Sequence, residues 1–386
     1  MNRRPLWIDL RAIPVNKRLP YLAAARNAKA EALLVAKDDA YAQRTDLAII
    51  TLDAKNALRS GPKTVGKAIL VRNAADQKRA AEAQGVVLLI AQDWRVIPLE
   101  NLIARRADRP GTLFARASST TEAVLFADTL QVGAHGIVLA PSKPQDIDQV
   151  HAELLARPVR PVGPQSGLAV AAAAHQVPED VATSAPAAKT PTSSGPAIGK
   201  GLPASAVRLE MGSITSIEDG GTGDRVCIDT TSMLAEGEGI LIGGTAASMV
   251  LVLAETATSK FIAPRPFRVN AGAVSNYVQA VDATTLYLSE LTSGKRVNAT
   301  TSDGRSREVT VGRAKIERRP HLLVRWEAPS GPGHVVLQTA ETVAVAAADG
   351  TRLAVTRLKI GDRILVAPGP AARHAGTAVA AEARER

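Results

Sequence analysis

Along the first 155 residues, short apolar runs recur between stretches of mixed composition: LWIDL (6–10), EALLVA (31–36), DLAIITL (46–52), KAILV (67–71), GVVLLIA (85–91), GTLFARA (111–117) and HGIVLA (135–140). Runs of this length bounded by polar segments read as buried strands. The Ala-rich segments LPYLAAARNAKA and AADQKRAAEAQ between them have helical composition. Seven strands interleaved with helices predict an α/β domain with a mostly parallel sheet, a (β/α) barrel-like layer in preference to an open parallel sheet. AQDW, RAS and LAPS each follow an apolar run, so their polar residues gather at one carboxyl-end face.

The pattern breaks at 157–204, where RPVRPVGPQSG and VPEDVATSAPAAKTPTSSGPAIGKGLP are rich in Pro, Ala, Ser, Thr and Gly without periodicity. That composition predicts a linker or insertion between domains 1–156 and 205–386. From 205 onward the runs turn to β: RVCIDT, GILIGG, SMVLVLAE, TTLYLSEL, REVTVGRAKIE, HLLVRWEA, HVVLQTAETVAVAA and RLAVTRL, separated by DGGTGD, SDG, PSGPG, ADG and IGD. Short strands at this spacing predict a β-rich barrel or compact sandwich, with hairpins closed by Asp-Gly in TSDGRSREVTVG and AADGTRLAV.

Composition narrows the function classes. With 3% aromatic residues, the core is aliphatic and stacking platforms for nucleic acid are scarce. The net charge of +10 is scattered, with no helix-turn-helix or RNA-binding signature, so nucleic acid is not an expected partner. The apolar runs are too short to cross a bilayer, and MNRRPLWIDL lacks a signal-peptide core, which predicts a soluble cytoplasmic chain with no membrane partner. The single Cys227 excludes an internal disulfide, and no Cys/His spacing suits zinc.

Several polar clusters remain. GGTGDR (220–225) precedes a strand and does not fit a dinucleotide fingerprint, but backbone N–H groups of Gly223, Asp224 and Arg225 are candidates to cradle a phosphate, beside the plain reading of a glycine turn. In DWRVIPLENLIA, Asp93 follows a strand and is a candidate for polar substrate, whereas Pro98 and Glu100 equally favour helix initiation. Asp229, Glu238 and Glu255 are candidate ligands of Mg²⁺ or Mn²⁺. In GRAKIERRP, strand alternation puts Lys315, Glu317 and Arg319 on one face and Arg318 on the other, as an ion-pair ladder or an anion clamp. RPFRVNAGAVSNYV adds Arg265, Arg268 and Asn270.

Taken together, DWRVIPLENLIA, GDRVCIDT, GEGILIG, RPFRVNAGAV, YLSEL, VGRAKIERRP, LQTAET, LKIGD and RHAG resemble the 3-dehydroquinate synthase II family over nearly the whole chain except the linker. The resemblance implies oxidative deamination of an amino-dideoxy-heptulosonate with NAD, followed by cyclisation to 3-dehydroquinate. On that reading Asp93, Arg265, Arg268, Asn270, Arg319 and His374 bind a small anionic sugar-acid or amino-sugar-derived substrate. Asp229, Glu255 and Lys315 are the acid/base candidates, and Gly223, Asp224 and Arg225 the cofactor candidates. Two family histidines are replaced, by Leu253 in LVLAE and Ser275 in NAGAVSNYV. The departures leave open a metal-dependent cyclase similar to the 3-amino-4-hydroxybenzoate synthases, or a catalytically degenerate ligand-binding paralogue.

Overall fold

The computed structural model describes residues 3–36, 46–107, 109–159, 205–281 and 284–369, with the backbone of 372–374 and 377–379. Chain contacts divide into two units, 1–175 and 176–386. The boundary falls within 160–204, so most of the expected linker lies outside the described residues.

The first unit is a closed eight-stranded barrel: β1 (Leu6–Asp9), β2 (Ala32–Ala36), β3 (Ala48–Leu52), β4 (Ala57–Ser60), β5 (Lys63–Val71), β6 (Val86–Ala91), β7 (Thr112–Ala117) and β8 (Gly136–Leu139). All seven apolar runs form strands. The eighth, β4, is antiparallel to both neighbours and turns β3 back into β5 without a crossover helix. Its ALRS sequence is too short and polar to signal a strand. Helices α1 (Leu19–Asn27), α2 (Ala74–Glu82), α3 (Val96–Arg105), α4 (Thr120–Asp128) and α5 (Gln145–Leu155) complete the unit. In α5, Ile147, Val150 and Leu154 are buried at helical spacing. Inside the barrel, Trp7, Leu34, Ile50, Leu58, Ala68, Leu88, Phe114 and Val138 form one apolar cluster.

The second unit contains β9 (Ser205–Ala206), β10 (Glu210–Thr230), β11 (Glu238–Gly243), β12 (Ser248–Glu255), β13 (Arg265–Ala273), β14 (Tyr277–Gln279), β15 (Thr285–Tyr287), β16 (Arg296–Thr301), β17 (Arg305–Ala328), β18 (Gly331–Gln338), β19 (Ala344–Ala346), β20 (Arg352–Ala354) and β21 (Arg363–Pro368). These form one sheet, in which the pairings β11–β16–β17–β10–β13–β12–β11 close a ring. Ile228, Ile240, Ile242, Val250, Val252, Val269, Val297, Val309 and Val311 are fully buried or nearly so. They alternate with residues of the opposite face, as a strand period of two requires. A small hairpin, β22 (Ala372–His374) with β23 (Thr377–Val379), follows.

The strands are longer than their apolar runs. REVTVGRAKIE and HLLVRWEA join into the single 24-residue β17. The expected DGGTGD turn lies inside β10, where the register slips between Asp219 and Thr222 against β17. Pro320 pairs with Thr222 at this irregularity, where a missing N–H disturbs the ladder least. The two Asp-Gly turns form as expected: Gly304 joins β16 to β17 at φ +84°, and Gly350 joins β19 to β20 at φ +81°.

Candidate active site

β10 lies between β13 and β17, and its odd-numbered residues share a face with their direct partners. Cys227 sits opposite Asn270 on β13 and Lys315 on β17, and Asp229 opposite Arg268 and Arg313. Arg225 faces Glu317, and Gly223 faces Arg319. Residues far apart in the chain therefore meet on one polar surface of the ring.

The bend of β13 sets this register. The β10–β13 pairing slips between Val226 and Cys227, next to Gly272 at φ +91°. A side chain at Gly272 would run into the Val336 carbonyl. Asn276, buried in the following turn, donates to the carbonyl oxygens of Val336 at 2.8 Å and Ala271 at 3.3 Å, and accepts from Val336 N–H at 3.3 Å. These bonds tie the bend to β18.

Arg268 grips Asp229 in a two-pronged pair, Nε to Oδ1 at 2.6 Å and Nη2 to Oδ2 at 2.8 Å. Arg313 adds Nε to Oδ2 at 2.9 Å. Burial alone would raise the Asp229 pKa, but the two arginines outweigh it and lower it. Asp229 is thus held as a carboxylate bonded to both arginines. Glu317 accepts from Arg225 at 2.9 Å and Arg319 at 3.2 Å, and its carboxylate lies 3.0 Å from Lys315 Nζ. Burial opposes ionisation here too, but Arg319 and Arg225, with Lys315, bring its pKa down to about 2. Glu255 pairs with Arg265 at 2.6 Å. Asn270 Nδ2 donates to Gln338 Oε1 at 2.7 Å. Cys227 contacts Arg225, and burial raises its thiol pKa, leaving it neutral.

Six cations, Arg225, Arg265, Arg268, Arg313, Lys315 and Arg319, therefore meet three carboxylates, Asp229, Glu255 and Glu317. A surface with this excess attracts an anion. The predicted face assignment of Lys315, Glu317 and Arg319 holds. Arg313, Gln338 and Cys227 were missed as site residues, because only cross-strand register reveals that they join the cluster.

Other candidates fall elsewhere. Asp93 is exposed in the β6–α3 loop of the first unit, and the DWRV segment leads into α3 as helix initiation requires. Glu238 accepts from Arg307 at 2.7 and 2.9 Å; Arg307 precedes Lys315 by eight residues along β17, roughly 26 Å of strand. Among the described residues no three His, Cys, Asp or Glu side chains group as metal ligands. Asp229, Glu238 and Glu255, the candidate ligands of Mg²⁺ or Mn²⁺, are each engaged by arginine among the described residues. The residues present do not fit a divalent ion.

Gly223, Asp224 and Arg225 lie within a strand rather than at a strand-to-helix turn, and Asp224 is exposed, its carbonyl accepting from Val274 N–H at 3.0 Å. The arginines beside this strand nevertheless suit the diphosphate of a dinucleotide in charge. The side chain of His374 lies outside the described residues. Leu253 packs with Leu241, Met249, Leu251 and Leu365 in an apolar cluster, while Ser275 is exposed in the β13–β14 turn. His135 accepts from Leu113 N–H at 3.2 Å, in keeping with a structural role. No helix among the described residues is long and apolar enough to cross a membrane.

Comparison with known proteins matches residues 3–154 to the 3-dehydroquinate synthase II N-terminal domain and 211–386 to the 3-dehydroquinate synthase II C-terminal domain. A 3-dehydroquinate synthase of Methanosphaerula palustris is 37% identical over 374 residues, 97% of each chain. One of Methanoregula boonei is 34% identical over 385 residues, covering 99% of this chain and 100% of its own. One of Korarchaeum cryptofilum is 38% identical over 320 residues, covering 83% of this chain and 78% of its own. No solved structure matches.

Proposed function

The chain belongs to the 3-dehydroquinate synthase II family, and on that premise we propose that it converts an amino-dideoxy-heptulosonate to 3-dehydroquinate by NAD-dependent oxidative deamination and ring closure. The observation that carries this reading is the polar face shared by β10, β13, β17 and the end of β12, whose six cations exceed its carboxylates by three.

Arg268 and Arg319, each about nine-tenths buried, hold the substrate carboxylate or cofactor phosphates; their guanidinium forks match both anions. Asp229 keeps Arg268 oriented, and Arg265 is held likewise by Glu255. Lys315 has the reach and charge to move a proton or hold a developing enolate oxygen during ring closure. NAD, when bound, supplies the hydride acceptor for oxidation of the amine-bearing carbon.

Purified full-length chain incubated with the amino-heptulosonate and NAD should release NADH and form 3-dehydroquinate in equal amounts. Absence of both, with no substrate binding by calorimetry, refutes the reading. Since Asp229, Glu238 and Glu255 are engaged by arginine, turnover should withstand a chelator; its loss would favour a metal-dependent cyclase.

A further inference from the structure

We propose that the carboxyl-end mouth of the eight-stranded barrel is a binding site for a small organic monocarboxylate with an apolar body. The site belongs to the first unit and stands independently of the function proposed for the second.

Strand alternation defines the mouth. Trp7 and Phe114 belong to the buried interior layer, with ring centroids 4.3 Å apart. Two residues further along the same strands, and so on the same interior face, come Asp9 and Arg116. Around the ring, Ile50, Ala68 and Leu88 are followed in the same way by Leu52, Leu70 and Ile90, with Leu70 paired directly to Ile90. Floor residues such as Leu34, Leu88 and Val138 are fully buried, yet Leu70 is 38% exposed and Leu52 and Ile90 are partly open. The top layer thus forms a basin with an aromatic floor, a polar wall from β1 and β7, and an apolar wall from β3, β5 and β6.

The polar wall carries one surplus positive charge. Asp9 is buried and accepts from Arg11 Nε and Nη2, both at 2.8 Å, and from Arg116 Nε at 2.9 Å. Burial would raise its pKa, but the two arginines lower it, so Asp9 stays ionised and cancels one of them. Arg11 and Arg116 remain partly exposed, and neither Nη of Arg116 has a partner among the described residues. Two parallel N–H donors with one net positive charge match a single carboxylate.

The βα turns at this end favour a carboxylate on arginine over a phosphate on a helix N-terminus. Arg72 N–H donates to Asp76 at 3.0 Å, Ser118 N–H to Glu122 at 2.8 Å, and Ser142 N–H to Asp146 at 2.9 Å. The backbone donors that would cradle phosphate are already bonded to the protein's own anions, which also repel a dianion.

Calorimetric titration of the full-length chain with benzoate tests the site, with benzyl alcohol and inorganic phosphate as comparators. Benzoate should bind one-to-one and the others more weakly by about tenfold or more, the scale of one charge-assisted contact. Arg116→Gln should weaken benzoate by about tenfold, whereas Arg268→Gln in the second unit should leave it unchanged. Asp9→Asn, which raises the surplus charge to two, should strengthen phosphate binding. Should Arg116→Gln fail to fold, Leu70→Glu replaces it and should abolish binding by repulsion. The proposal is overturned if benzoate does not bind, if its affinity follows Arg268 and not Arg116 or Leu70, or if phosphate matches it in the wild type.

Discussion

Replacing Glu317 by glutamine removes the anion at the centre of the candidate site while keeping its shape. The side chain is 17% exposed and holds Arg225, Arg319 and Lys315 within 3.2 Å. Its pKa falls from an ordinary 4.5 to about 2. At 1.36 kcal/mol per unit, that difference is worth about 3 kcal/mol of stability at pH 7. Because the folded-state pKa is the lower one, this stabilisation is complete above pH 4.5 and drains away as the pH falls through 2. Linkage leaves about 1.4 kcal/mol at pH 3. Urea unfolding of wild type and Glu317→Gln should therefore differ by about 3 kcal/mol at pH 7 and by less than half of that at pH 3. Trp326, 1% exposed in the second unit, reports that unit alone when Trp7 and Trp94 are replaced by phenylalanine. A gap below about 0.5 kcal/mol at pH 7, the range of an ordinary surface substitution, would refute the reasoning, as would a gap that ignores pH.

Three further outcomes concern the second unit. Arg268→Lys cannot reproduce the two-pronged pair with Asp229 and should raise KM for the anionic substrate by about tenfold, with a smaller change in kcat, in steady-state assays. Gly272→Ala places a Cβ against the Val336 carbonyl at a positive φ and should cost about 3 kcal/mol or more in urea melts. Ser275→His in the exposed turn should change stability by less than about 0.5 kcal/mol, whereas Leu253→His buries an imidazole among leucines and should cost about 2 kcal/mol or more; equal melting of the two variants would count against the apolar reading of Leu253.

The sequence carried the barrel better than the sheet. Seven apolar runs named seven strands because burial on both sides writes a continuous signal, whereas ALRS in β4 is held by antiparallel pairing with β3 and β5, which leaves no mark in four residues. In the second unit, Gly220–Gly221 read as a turn but instead sit, opposite Pro320, at an irregularity within two long paired strands. The site was legible as residue types and illegible as partners. Lys315, Glu317 and Arg319 declare a shared face by alternation, but the meeting of Asp229 with Arg268 and Arg313 depends on a register set at the bend beside Gly272. The three carboxylates proposed as metal ligands looked alike in sequence; each proves to have its own arginine.

The electrostatics of this face narrow the search for a proton carrier. Near neutral pH, Asp229 and Glu317 are held as anions and burial keeps Cys227 neutral. His321, one alternation beyond Arg319 on β17, is 2% exposed and sits opposite Gln338, whose amide oxygen bonds Asn270. Its Nε2 is buried without a hydrogen-bond partner among the described residues. Burial first, then Arg225, bring its pKa down to about 4, with Asp224 opposing. An anion settling beside Arg225 would cancel part of that repulsion and raise the imidazole pKa toward its ordinary 6.5, making proton uptake contingent on substrate. Because burial persists, the rise is partial, and substrate binding by the wild type should take up a proton at roughly pH 5, between the depressed and ordinary values, measurable as a buffer-dependent calorimetric heat. His321→Asn should abolish that uptake and remove the corresponding acid limb from the pH profile of kcat while leaving the fold intact. If the proton uptake persists in the variant, the imidazole is a structural side chain and Lys315 and Glu255 are the remaining candidate carriers on this face.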